Sequence, residues 1–174
     1  MNAIFVTIGT QEPFNRLVQA IDQWAASTRE IQIYAQIGDA TYAPRNMAFS
    51  KFLEPDRYAE LINQCDLIVS HAGMGSILTA MEYSKPIIIM PRDHRRAEHN
   101  NDHQLGTARH FEGSRGIYVA YSREMLYRYL DQRERLQAPN LKPTQSRLEL
   151  VTFVQNFIGV PDTRDVVSAD SDVS

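Results

Sequence analysis

The sequence holds a single cysteine, Cys65, so no internal disulfide can staple the chain. Placed in an apolar context before Asp66, it is expected to be a small buried thiol of a reducing compartment. A basic excess is also missing, since 18 Lys and Arg face 21 Asp and Glu for a net charge of −3. Nucleic-acid binding needs concentrated positive charge, so that class is set aside. Long hydrophobic runs are absent too. The longest, such as Ile87-Ile88-Ile89-Met90, fall far short of the ~20 residues that cross a bilayer. Met1 to Val6 carries neither the basic start nor the small-residue cleavage site of a signal peptide. A cytoplasmic chain is expected, with any membrane contact peripheral and made through a partner. No internal repeat is visible.

What is present is a rhythm. Short apolar runs alternate with longer amphipathic stretches, the pattern of βα units around a mostly parallel sheet. Strands are expected at 3–8, 31–37, 47–53, 67–70, 86–90 and 116–119, and helices at 14–25, 55–64, 76–83 and 101–111. A further helix over 125–136 is expected to be capped by Ser122. The fold class is α/β: a single Rossmann-like domain over 1–158, its sheet flanked by helices. Pro139 and Pro143 mark a linker to a final amphipathic helix at 145–158. Leu148, Leu150, Val151, Phe153, Val154, Phe157 and Ile158 make that helix more apolar than one sheet face requires, so it packs on the core or docks a partner. The tail 159–174, rich in Asp, Ser and Thr, is expected to be disordered.

The segment Leu67-Ile68-Val69-Ser70-His71-Ala72-Gly73-Met74-Gly75-Ser76 runs from strand to helix through two glycines. Glycine there lets backbone N–H groups approach an anion with no Cβ in the way. The next helix aims its free N–H groups and positive dipole end at the same point. Ser76 offers a further hydroxyl donor. The bland alternative is a tight turn and nothing more. No Gly-x-x-x-x-Gly-Lys-Ser/Thr occurs, which excludes an ATPase P-loop. A dinucleotide fingerprint needs glycine at the position held by Leu78. Asp93, placed as a ribose-binding acid, keeps NAD(P) as a competing ligand.

The stretch Pro91-Arg92-Asp93-His94-Arg95-Arg96-Ala97-Glu98-His99-Asn100-Asn101-Asp102-His103-Gln104 concentrates imidazole, carboxylate and amide groups. Loops at the carboxyl ends of neighbouring strands line one crevice, so this segment and the His71 turn are expected to face one ligand. Such groups suit sugar hydroxyls; the competing reading is a solvated loop. His99 and His103 stand one helical turn apart, but the Glu of a His-Glu-x-x-His zinc site is missing. No metal and no cofactor is expected. Ser70 and Ser76 lie outside any Gly-x-Ser-x-Gly frame.

These residues together resemble the C-terminal, nucleotide-binding half of GT-B glycosyltransferases of the family 28 type. The shared features are the His-Ala-Gly-x-Gly-Ser turn at His71 to Ser76, then Pro86, then the loop from Pro91 to Asp102-His103-Gln104. The opening Phe5-Val6-Thr7-Ile8-Gly9-Thr10-Gln11-Glu12-Pro13-Phe14 is similar to the start of Alg13-like stand-alone subunits, including those of bacterial exopolysaccharide synthesis. The resemblance covers roughly residues 3–135. It implies a donor-binding half-enzyme that completes its site with an Alg14-like, membrane-associated partner carrying a lipid-linked saccharide acceptor. It also implies that Gly9 and Thr10 line the cleft near the phosphates and that His71, Gly73, Gly75 and Ser76 hold the diphosphate of a UDP-sugar. Asp102 and Gln104 would contact sugar hydroxyls, with Glu98, His99 and His103 nearby and Met74 and Thr79 completing the substrate-binding set. Thr79 is a departure, because many GT-B enzymes place a ribose-binding Glu there; it points to a subtype. Glu82, further along the helix, reads as a solvated carboxylate. Glu12 and His99 are weak candidates for a general base, which the resemblance assigns rather to the partner. Two other classes remain open: an accessory subunit that enhances a partner transferase, and an NAD(P)-dependent oxidoreductase.

Overall fold

Apolar β-branched runs supply the strands of a six-stranded, wholly parallel sheet in the order β3-β2-β1-β4-β5-β6. The computed structural model describes residues 1–28 and 30–139; the segment 145–158 and the tail 159–174 lie outside the described residues. The strands are β1 (Ala3–Thr7), β2 (Gln32–Gln36), β3 (Ala48–Ser50), β4 (Leu67–His71), β5 (Ile87–Met90) and β6 (Ile117–Val119). Between and after them come α1 (Asn15–Ala25), α2 (Pro55–Gln64), α3 (Met74–Glu82), α4 (His103–Phe111) and α5 (Arg123–Asp131). None of the described helices is long and apolar enough to cross a membrane.

Successive strand residues face opposite sides of the sheet, and the core follows that alternation. Ile4, Val6 and Ile8 pack with Leu67, Val69, Ile88 and Met90 against Leu17, Val18 and Ile21 of α1 and Leu126 and Leu130 of α5. Phe5 faces the other way, where its ring meets Tyr58 of α2 edge-on at 5.3 Å. Ile87, Ile88 and Ile89 are all fully buried, as a central strand covered on both faces must be. Each such side chain contributes roughly 1.5–3 kcal/mol by leaving water.

Register then places the loops. Thr7 pairs with Ser70, which sets Ile8-Gly9 beside His71. His71 in turn pairs with Met90, which sets Pro91-Arg92 beside Ala72-Gly73. Between the two edges of the sheet, the chain runs from β1 outward to β2 and from β4 outward to β5. That reversal of direction opens a crevice at the carboxyl ends of β1 and β4.

Elements match the sequence expectation in type and order, with differences of detail; the third strand, expected at 47–53, is only Ala48–Ser50, and α4 begins at His103 rather than 101. Helix α3 begins at Met74, earlier than expected, because Gly73 in an extended conformation (φ −94°, ψ 137°) already serves as its N-cap. The polar segment after β5 contains a 3₁₀ turn, His94–Arg96, which Ala97 closes in the left-handed region at φ 55°. The helix expected over 125–136 stops at Asp131 and tightens into a 3₁₀ turn at Arg133–Arg135, the usual geometry of a frayed last turn. Ser122 does cap it, its hydroxyl accepting the Met125 N–H at 3.2 Å. Cys65 is buried, with burial raising its thiol to about 11. It is inert at neutral pH.

Candidate functional site

The crevice is built around one imidazole. A Cβ on Gly9 would lie 2.8 Å from His71 Cε1, and a Cβ on Gly73 would lie 2.1 Å from His71 Nε2. The ring is wedged between two backbones that only glycine lets come so close. Gly9 is doubly constrained, since its φ of +77° also disfavours a side chain. Gly75 differs: a Cβ there meets nothing within 4 Å. Its bare backbone serves space outside the protein.

His71 Nδ1 lies 3.1 Å from the Ser70 hydroxyl. Burial first, then the positive charge of Arg92, push the imidazole down to about 4. It is neutral at pH 7, with one nitrogen to donate and one to accept. Beside it, α3 begins at Met74 with no side-chain cap. The first N–H groups of a helix have no intrahelical acceptor, so those of Met74, Gly75 and Ser76 add to the positive dipole end. Ser76 is itself 7% exposed, whereas Gly75 is exposed. Thr79 donates its hydroxyl back to the Gly75 carbonyl at 2.9 Å. A neutral imidazole beside uncapped amides is an arrangement able to receive an anion.

The loop after β5 is tied down from all sides. Glu98 receives a two-pronged bond from Arg16 of α1, Nε and Nη2 each at 2.7 Å, and also accepts the Asp93 N–H at 3.0 Å. The Asp93 carboxylate accepts the backbone N–H, Nε and Nη2 of Arg95, which hold it at about 2. His94 pairs with Asp102, and His99 Nδ1 pairs with Glu12 on the β1–α1 loop. Gln104, 8% exposed, accepts the Arg92 N–H through Oε1 at 3.1 Å. The His103 N–H donates to Asn101 Oδ1 at 3.1 Å, and Thr107 donates to the His103 carbonyl. Thr10 is exposed next to Gly9.

The structure sets Gly9 and Gly73 against His71, with Met74, Gly75 and Ser76 at the adjoining helix start. Glu12 and His99, remote in sequence, form a direct pair. Glu98 is engaged in bracing its own loop, and Asp93 is occupied by Arg95, away from the role of a ribose acid. His99 precedes α4 while His103 opens it, so the two histidines do not share a helix face. Among the described residues, no cluster of three His, Cys, Asp or Glu side chains forms that could hold a metal. Sequence reasoning missed Arg92 and Arg16. Arg92 is 3% exposed and donates to the carbonyls of Ile8 and Glu12, residues 84 and 80 positions away. Nothing in the local pattern distinguishes it from the exposed Arg95 and Arg96.

Over residues 3–151 the sequence matches the glycosyltransferase family 28 C-terminal domain. The chain belongs to this family. It is 33% identical over 125 residues to the UDP-N-acetylglucosamine transferase subunit ALG13 of Homo sapiens, and 31% over 123 residues to that of Mus musculus. Those stretches cover 65% of this chain but only 11% and 10% of the relatives, so the family 28 chain matches about a tenth of their length. In structure it is similar to ALG13 solved by NMR, with a TM-score of 0.59 at 22% identity over 84% of this chain and 94% of that one. MurG of Acinetobacter baumannii gives 0.57 at 15% identity over 78% and 42%. The kitacinnamycin glycotransferase gives 0.60 at 18% over 91% and 43%. At such identities these likenesses speak for the fold alone.

Proposed function

We propose that the chain is the donor-binding subunit of a two-component glycosyltransferase, transferring a sugar from a UDP-sugar to a lipid-linked acceptor. The observation that carries this is the cradle at the β4–α3 turn. Uncapped amides at Met74 to Ser76 and the neutral His71 converge where Gly75 leaves open space. As the bond from the anomeric carbon to the β-phosphate oxygen breaks, the electron pair leaves with UDP. Charge then grows on the β-phosphate, where fixed N–H dipoles stabilise it without reorganising. His71 stands beside it as a neutral group. The acceptor hydroxyl attacks the anomeric carbon and gives up its proton to a base, which this reading assigns to the partner half rather than to the Glu12–His99 pair.

One half of a GT-B site cannot enclose both substrates, so the reading requires an Alg14-like partner that holds the acceptor and keeps this chain at the membrane. UDP-N-acetylglucosamine, the donor in the relatives' names, is the first sugar nucleotide to test. The dinucleotide reading fares worse: the sheet order is the one expected of it, but the Gly-rich turn follows β4 rather than β1, and Leu78 replaces the third glycine. Calorimetric titration of the chain with UDP, UDP-sugars and NADH tests the assignment. Saturable binding of the uridine nucleotides alone supports it; binding of NADH alone contradicts it.

A further inference from the structure

We propose that Arg92 is a positioning residue for the donor site: it grips both ends of the Ile8–Glu12 loop against the His71 turn and supplies a buried positive charge behind the phosphates. This rests on the donor-site reading above and adds a residue to it that no motif contains. The observation is a cation where one is costly. Arg92 is 3% exposed, and among the described residues it makes no ion pair. Its Nη2 donates to the Ile8 carbonyl at 2.7 Å and the Glu12 carbonyl at 2.6 Å. The guanidinium lies 4.9 Å from the centre of the Phe14 ring. Its Nε is buried with no hydrogen-bond partner. Burial lowers its pKa to about 10, which still leaves it charged at pH 7.

A buried charge without a contacting counter-ion is a stability liability. Here its position explains it. The two carbonyls it holds bracket Gly9-Thr10-Gln11, and Gly9 lies against one side of the His71 ring. Its charge is also felt by His71, where it is second only to burial in holding the imidazole neutral. One side chain therefore sets the shape of the loop beside the cradle and the sign of the field behind it. The Glu12 side chain beyond, paired with His99, is carried on the same gripped segment.

The test uses the full chain, with Arg92→Met and Arg92→Lys, UDP as the probe, and NMR titration of the His71 ring beside calorimetry. Methionine removes grip and charge: UDP affinity is expected to fall by about tenfold or more, and His71 to titrate at higher pH. Lysine keeps the charge but loses the rigid guanidinium plane that lies against the Phe14 ring and fixes Nη2 between the two carbonyls. His71 then stays low while UDP affinity falls by roughly three- to tenfold. Both variants folded, UDP affinity within about twofold of wild type and His71 unmoved would overturn the proposal. Should Arg92→Met fail to fold, Arg92→Lys decides: wild-type affinity refutes positioning, and a raised His71 pKa refutes the charge assignment. A wild-type chain that ignores UDP refutes the donor-site reading itself, an outcome separate from any effect of the variants.

Discussion

The turn after β4 and the loop after β5 leave neighbouring strands side by side, yet they are held in opposite ways. The loop carries many charged and titratable side chains, and apart from Arg92 most of them have a partner: Asp93 with Arg95, Glu98 with Arg16, His94 with Asp102, His99 with Glu12. The turn carries no formal charge at pH 7 and ends in a helix start that nothing caps. If the turn holds the donor phosphates as proposed, charge content is a poor guide to the site. The capacity left over for a ligand lies in the plain segment, and the ornate one braces it.

This contrast can be broken at Gly73. In Gly73→Ala the new Cβ would sit 2.1 Å from His71 Nε2, while Gly9 blocks retreat on the other side. We expect a loss of about 1–3 kcal/mol of stability from overpacking and roughly a hundredfold of UDP affinity, read by thermal unfolding and calorimetry. Unchanged binding would show that the wedged imidazole is irrelevant to the cradle.

Acid should weaken the turn through His71. His71 has a folded pKa near 4 against 6.5 in the unfolded chain, faced by Arg92 and His99. The unfolded state therefore binds the proton first, and stability falls as pH drops from about 6.5 to about 4. The loss attributable to this group is on the order of 3 kcal/mol at the acid end. Urea melts of wild type and His71→Gln across that window measure it; parallel curves would remove His71 as the cause.

Gly75→Asp sharpens the comparison by separating binding from folding. With open space around the position and a carboxylate favourable at a helix start, stability should stay within about 0.5 kcal/mol. UDP affinity should fall by roughly tenfold or more as the added charge repels the phosphates. The smallest effect is expected in the loop. Glu98→Gln weakens its two-pronged bond with Arg16 and should cost about 1 kcal/mol, with UDP affinity within about threefold.

Much of this was legible in the chain. The apolar runs at Ile4 to Val6, Leu67 to Val69 and Ile87 to Met90 announced parallel strands, and Ser122 announced its cap. The His71-to-Ser76 turn was visible because glycine, strand and helix signals fall within a few residues of one another. What could not be read depends on long-range contact. Arg92 looks like its exposed neighbours until the sheet register carries Ile8 and Glu12 to it. His99 and His103 have helical spacing, but the Glu12 and Asp93 contacts hold the loop out of a helix until Asp102. The early start of α3 was hidden because a Gly-Met-Gly sequence carries weak helix propensity, and uncapped amides appear only in three dimensions.

The central claim is that the β4–α3 turn holds the diphosphate of a sugar nucleotide, and calorimetric titration of wild-type chain and Gly75→Asp with UDP, UDP-N-acetylglucosamine and NADH tests it most directly. The account predicts one saturable site for the uridine nucleotides in wild type, lost or weakened at least about tenfold in Gly75→Asp, and no binding of NADH. Equal uridine-nucleotide affinity in the two proteins, or no uridine-nucleotide binding by the wild type, would contradict it.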